Sequence, residues 1–597
     1  MRKQMKRFAA LSFVVFAIAA IVAANASAAV TVTWNSAANG LWSTGADWTT
    51  STPPVSTDNV AFGATGAVGT TATTNEVDAG FSSPINTLWY QQQGELTGNY
   101  VHTTVIDAGQ TLKIAGSDGN TLKGSNGNYS LIAGNFGTST SMQSWTYISG
   151  QGTLDVSAVG GGNTGGDIFV RETQGASSPT NSAHLDLSGL ATFNANIDQL
   201  LIGYANAYTS GGDGERAQGV VYLAQSNTIT ANSPASSYAA SKFNTAIVVG
   251  YSNHNAPPNS VPSILYLGHT NVINADDITI GGKRQKGILT FNPLDTAAGK
   301  SVTIRGVSAT RVDQFVIGDN YDLTATGSTA DAIGVVDLRG GNADILASSI
   351  IIGRGPGSST TTSSSRGGTG TLYLDTGTID TTSLTLGDQL TNWNATYNGV
   401  VYVSGGHLIV NSPSGPGGGS LVLGFSDASV ASGNGTCTGT LNISAGIVTV
   451  GCDITDGGTG VHANTSTINL SGGTLDMSGH IIGSISTPID TVSLANGTLD
   501  NIAQINAGAL TINNGVALSV LVSGSLDLGS TYDILNWTTE SGTFATVNLP
   551  ALAPGLVWDS SKLYVDGTIV VVPEPAALLM LIMAAGLGLM FKRLRRK

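Results

Sequence analysis

The chain has 597 residues, of which 10% are charged, 6% aromatic and 41% hydrophobic, and 79 are glycine. So much apolar content with so little charge excludes a disordered polymer, which combines low hydrophobicity with high net charge. A formal net charge of −14 also argues against nucleic acid as a partner, since gripping a phosphate backbone requires clustered cations.

At the start, Arg2, Lys3, Lys6 and Arg7 precede an apolar run from Phe8 to Ala24 and the small residues Ala26-Ser27-Ala28. This order is that of a secretory signal peptide, and it predicts cleavage by signal peptidase after Ala28 or Ala29. The competing reading is an uncleaved anchor. Next come Trp34, Trp42 and Trp48, three of the chain's tryptophans in one short stretch, interleaved with Gly40, Gly45, Pro53-Pro54 and Asp58 to Phe62. Large aromatics here are expected to cap the open end of a coiled sheet, which otherwise exposes unpaired backbone and an apolar ladder. An aromatic platform for carbohydrate is the functional alternative.

The body repeats. A short β-run closed by glycine recurs at Gly203, Gly250, Gly281, Gly318, Gly353, Gly387, Gly424 and Gly451, a mean step of about 35 residues. A second alternating run lies between successive glycines, as in Val220 to Leu223, Val335 to Leu338 and Leu441 to Ile443, and a third strand often follows a Ser-Gly-Gly turn such as 404–406 or 471–473. Units of such short strands cannot bury a face alone, but stacked in parallel they bury ladders of Val, Ile and Leu. A β-propeller would need four strands per blade at about 40–45 residues, and the glycine spacing drifts from 27 to 47, which a closed ring tolerates poorly. The separation of Cys437 from Cys452 is close to that of one coil of a β-solenoid, so the two could face each other on adjacent rungs as a disulfide; two buried small hydrophobes are the other reading.

The pattern offers little chemistry. Seven histidines (His102, His184, His254, His269, His407, His462 and His480) are scattered, without the i, i+4 pairing of a zinc helix. Asp276-Asp277 would point to opposite faces of a strand. The turns 211–216 and 117–120 resemble calcium turns only superficially, and Gly417-Gly418-Gly419 lacks the lysine and helix of a phosphate loop. Lys283, Arg284 and Lys286 read as a solvated loop, with anionic glycan binding as the alternative. No cofactor is implied.

Residues 516–572, with Tyr532, Trp537, Phe544, Trp558 and Tyr564, are expected to form a small antiparallel β-cap. Pro573-Glu574-Pro575 then leads into an apolar run, Ala576 to Phe591, and the cations Lys592, Arg593, Arg595, Arg596 and Lys597. The prolines hold Glu574 extended, which suits a protease. As a helix that apolar run spans about 24 Å, short of a hydrocarbon core of roughly 30 Å unless flanking cations snorkel. The basic end is expected to stay cytoplasmic and the body to lie outside. Without the cations of both ends, 15 basic residues face 38 acidic ones, a charge near −23 for the exported part.

This terminus resembles the PEP-CTERM sorting signal of bacterial envelope proteins in all three parts. The resemblance implies recognition of Pro573, Glu574 and Pro575 by an exosortase, transient residence in the inner membrane, and transfer to the cell surface or its polysaccharide matrix. An ordinary C-terminal anchor is the bland alternative. The Trp-rich start and the repeats, through about residue 515, resemble autotransporter-associated repeat proteins, which implies a right-handed parallel β-helix. The chain departs from that pattern because 516–572 is too short for a membrane β-barrel translocator.

The expectation is therefore an all-β protein, a right-handed parallel β-helix or β-solenoid with a small C-terminal β-cap and a single C-terminal transmembrane helix. Its parts are a signal peptide at 1–28, a Trp-rich cap and first coils at 29–130, solenoid repeats at 131–515, the β-cap at 516–572 and the sorting signal at 573–597. Its expected role is structural or adhesive, after handling by signal peptidase, the secretion machinery and an exosortase, among extracellular polysaccharide. A polysaccharide lyase or hydrolase assembled from distant rungs is the enzymatic alternative. A carbohydrate-binding surface is the third, and an exposed row of Tyr or Trp would mark it.

Overall fold

The computed structural model describes residues 30–63, 65, 73–90, 101–117, 128–134, 143–158, 166–174, 182–205, 216–233, 245–252, 261–321, 331–355, 367–390, 395–411, 419–427, 435–458, 463–513, 515–522 and 524–595. The expected signal peptide and its cleavage site lie outside them, as do His254, His462, Asp118 to Asn120, Gly211 to Glu215, Gly417-Gly418, Arg596 and Lys597.

Short strands with alternate apolar residues do here what the repeat demands. Each lies parallel on the strand one coil earlier, and a single inward column runs through Ile168, Leu200, Ile247, Ile278, Phe315, Ile350, Leu384, Leu421, Ile454, Ile482, Ile505 and Leu535 in unbroken register. All of these side chains are buried. The step along the chain is shortest from Ile482 to Ile505 and about twice as long from Leu200 to Ile247. The core absorbs this drift because the extra length falls between strands.

Each coil has three faces. Val312–Asp319 lies on the first, Ala332–Asp337 on the second, and Asn342–Arg354 begins on the third before turning onto the first face of the next coil. Thr436–Val450 likewise carries two faces in one strand: Thr436 to Ile443 pairs with Thr396 to Val403, and Ile447 to Val450 with His407 to Val410. The bend falls at Ser444-Ala445-Gly446, where Gly446 has φ 71°. The Ser-Gly-Gly turns are bends of this kind, so the strands flanking them pair with neighbouring coils and not with each other. Among the described strands, pairing is parallel throughout the coils except where Glu172–Gln174 meets Arg216–Gln218.

The glycine repeat marks a corner of the coil. Seven of the eight glycines, Gly203 to Gly424, follow the same column and have φ between 59° and 77°. The eighth, Gly451, ends a third-face strand, and the matching first-face strand is Ile454–Gly458. A second glycine column, which the sequence reading does not single out, stacks Gly287, Gly334, Gly370, Gly399 and Gly439 on the second face. The two columns touch: a Cβ on Gly334 would sit 2.2 Å from the nitrogen of Gly318, and one on Gly318 would sit 2.1 Å from the carbonyl of Thr369. Only glycine lets two backbones approach this closely.

Both ends are closed. Trp34, Trp42 and Trp48 are at most 1% exposed and pack edge to face, with centroids 4.9 and 5.1 Å apart, above Phe62. Their burial means that these three rings form no exposed platform for carbohydrate. The loop that carries Trp48 also covers the first strand's edge, since the Thr33 N–H donates to Thr49 Oγ1, the Thr49 N–H to Thr33 O, and the Leu41 N–H to Asp47 Oδ2. At the other end the coils persist beyond residue 516, with Val516–Val520, Leu535–Gly542 and Thr546–Asn548 still paired in parallel. The antiparallel cap is smaller than expected, three strands at Thr531–Asp533, Leu556–Asp559 and Thr568–Pro573.

An α-helix spans Pro575–Leu594. Among the described residues no helix is long and apolar enough to cross a membrane, so the expected transmembrane helix is not among the elements found.

Candidate functional site

The tripeptide Pro573-Glu574-Pro575, expected to be a sorting motif, sits where the cap ends. Thr568–Pro573 is the middle strand of the antiparallel sheet, with Tyr532 opposite Ile569 on one side and Trp558 opposite Val571 and Leu556 opposite Pro573 on the other. Alternate residues Ile569 and Val571 are fully buried, and Ile569 belongs to the main core, which ties this strand to the last coils. Proline lacks a donor, and Pro573 takes the final ladder position. Glu574 follows with φ −58° and ψ 132°, its side chain exposed and its N–H donating to the Gly555 carbonyl at 2.8 Å. Pro575 opens the helix, a position that suits its fixed φ and absent N–H. A single residue separates the sheet from the helix.

The described apolar side chains of the helix stand outward. Met583, Leu587, Leu589, Met590 and Phe591 are 54 to 69% exposed, and Lys592 and Arg593 occupy its last turn. A helix with apolar residues all round has no stable face toward water. Of the expected basic stop, Arg595 also lies among the described residues and is exposed.

The cysteines are not bonded to each other. Cys437 stacks in register between Tyr397 and Asn464, and its thiol donates toward the carbonyls of Gly387 at 2.9 Å and Phe425 at 3.0 Å. Cys452 packs in a different cluster of the core. The expected rung-to-rung pairing fails because the chain from Cys437 to Cys452 crosses from one face of a coil to another, and the position above Cys437 on the next coil belongs to Asn464. Burial raises both thiol pKa values, Cys452 to about 11.

The basic trio is not a solvated loop. Lys283 and Arg284 are 5% and 2% exposed in a tight left-handed turn with φ 49° and 129°. The Lys283 ammonium lies 5.7 Å from the centroid of the Tyr251 ring, and its backbone N–H donates to the Asp319 carbonyl. Asp276 accepts from the Val307 N–H, whereas Asp277 is buried on the first-face strand, so the two carboxyls do not share a site. The five described histidines have separate partners. His102 bonds to Gly63 O, His184 stacks on Trp145 at 3.7 Å with burial lowering its pKa to about 4, and His269, His407 and His480 contact Asp295, Thr449 and Asp453. Among the described residues no group of three His, Cys, Asp or Glu is placed to hold a metal.

A buried ionic stripe is the feature that sequence reasoning misses. Asp319, Arg354 and Asp388 stack in register on three successive coils. Arg354 forks onto Asp319, Nε to Oδ1 at 3.0 Å and Nη2 to Oδ2 at 2.9 Å, and its guanidinium lies 4.7 Å from the Tyr321 ring. Burial raises the Asp388 pKa to about 6, with Arg354 pulling it down and Asp427 pushing it up. The signal for this stripe is in the sequence: a charged residue directly follows the corner glycine in Gly318-Asp319, Gly353-Arg354 and Gly387-Asp388.

The outer side of the second face carries a tyrosine row. Tyr147, Asp186, Tyr222, Tyr266, Thr290, Asp337, Tyr373 and Tyr402 occupy one column. Tyr222 stacks on Tyr266 at 4.5 Å, and Tyr373 on Tyr402 at 4.9 Å. Arg339, bonded through both its Nε and Nη2 to Asp337, lies 4.2 Å from the Tyr373 centroid. Burial, then the neighbouring Tyr266 and Asp186, raises the Tyr222 pKa to about 12, which keeps its hydroxyl protonated. Tyr402 is 40% exposed.

Comparison with protein-family models, with curated proteins and with solved structures returns no match.

Proposed function

We propose that this protein is an exported, non-catalytic rod of the bacterial cell envelope, delivered by a removable C-terminal sorting signal to serve a structural or adhesive role among surface polysaccharide. The single observation that carries the reading is the junction: an exposed Glu574 between two prolines, directly ahead of a helix whose apolar side chains from Met583 to Phe591 stand exposed and whose last turn is basic. Such a helix requires an apolar surrounding. In this reading Ala576 to Phe591 inserts into the inner membrane before processing, with Lys592 and Arg593 snorkelling to cover its short length. Signal peptidase removes 1–28, an exosortase acts at Pro573 to Pro575, and the coil winds right-handed, as the resembled families imply.

Replacing Pro573, Glu574 and Pro575 by alanines in the native host tests it. The variant is expected to stay in the inner-membrane fraction with its tail intact, while the parent reaches the surface or medium. Unchanged location and mass would contradict the sorting reading.

The tyrosine row supports a second role on the same rod, carbohydrate binding along the second face. Tyr222→Ala with Tyr266→Ala is expected to lower retention in affinity electrophoresis through host polysaccharide about tenfold, as loss of two stacking contacts implies; retention equal to the parent's would count against it.

A further inference from the structure

The junction leaves the expected processing site extended but with its backbone already paired, so a protease cannot engage it as it stands. To be cut, a chain must lie extended in an active-site cleft with its backbone free on both sides of the scissile bond. Here the residues ahead of Glu574 are the middle strand of a sheet. Val572 is paired with Val557, Pro573 stands opposite Leu556, and the Glu574 N–H is held by Gly555. The partner strand is itself locked, since the Trp558 indole donates to the Pro550 carbonyl at 2.8 Å and packs edge to face on Tyr532 at 5.6 Å. Behind the strand, Val571 and Ile569 are buried. On the other side the helix begins at once.

We infer that the C-terminal β-cap gates its own processing: the docked strand Thr568–Pro573 withholds Pro573-Glu574-Pro575, and cleavage proceeds through the fraction of chains in which its last residues are undocked from Gly555 to Val557. This rests on the sorting reading and adds regulation to it. The folded rod is thereby held at the membrane until the end of its last strand opens, so the stability of the cap sets the rate of release. Each backbone hydrogen bond that must open lowers the competent fraction roughly two- to twelvefold.

The test is pulse-chase of the full-length chain in its host, with intact mass as the readout of cleavage. A short Gly-Ser linker inserted between Val572 and Pro573 frees the tripeptide without altering it, and Trp558→Ala loosens the partner strand. Both are expected to speed cleavage, the linker by about tenfold, and the linker variant leaves Thr568 to Val572 and the buried Ile569 and Val571 unaltered, which an unchanged urea midpoint confirms. A parent rate in the linker variant, in a host where alanine replacement of the tripeptide abolishes cleavage, overturns the gate and leaves the sorting reading standing. Cleavage that ignores the alanine replacement overturns both.

Discussion

Asp388 shows what burial does to a single charge in this rod. Its carboxyl is enclosed beside Arg354, and its pKa is about 6, above the ordinary 3.8. A group with a raised folded pKa binds its proton more tightly in the fold. The stability it lends is full below about pH 4 and is lost as pH rises through about 6. Asp388→Asn keeps the neutral shape and cannot ionise, so the difference between variant and parent is expected to grow in the variant's favour across that window, by on the order of 2 kcal/mol. Denaturation midpoints at pH 4 and pH 7 measure it; a difference that does not change with pH would contradict the assignment. Arg354 and Asp319 form the partner pair, and their bidentate geometry makes them a unit that loses more from removal of one member than an exposed pair would.

At the scale of strands and turns, the corner is where sequence dictates shape. Gly318 meets two demands, a φ of 75° and close contact with the Thr369 carbonyl, whereas Gly109 has φ 77° and nothing within 4 Å of an added Cβ. Gly109→Ala is therefore expected to cost only the backbone strain of about 1–2 kcal/mol. Gly318→Ala is expected to cost about 1–3 kcal/mol more, because two coils must separate to admit the methyl group. Urea titrations of the two variants decide it, and equal losses would mean that the columns do not pack as described. Much of this element is legible in the chain itself, since the glycine-closed runs mark seven corners correctly and the clustered tryptophans mark the cap. What stays hidden depends on how strands bend. A strand that spans two faces, such as Thr436–Val450, makes part of a coil look like a whole one, which is why Cys437 and Cys452 are expected to meet and do not, and why Gly451 reads as a corner. The basic trio misleads for a different reason: composition cannot tell that the connection from Gly282 to Lys286 is short enough to lie buried beside Tyr251.

For the molecule as a whole, stacking sets the shape. The first face carries parallel strands from Thr31–Thr33 to Leu535–Gly542, and neighbouring strands lie about 4.8 Å apart, so the registered rungs from Ile168 to Leu535 alone span roughly 50 Å. Such a rod buries a main core that runs from coil to coil, while its capped ends oppose extension by edge pairing. Its formal net charge of −14 disfavours close association with other polyanions. The tail stands apart from this body, since its described apolar side chains from Met583 to Phe591 are exposed. Intact mass of the protein recovered from the surface of its own cells tests the central claim most directly. The account predicts a chain that starts at Ala29 or Val30 and ends within Pro573 to Pro575; a full-length mass from Met1 to Lys597, recovered from the cytosol, would contradict it.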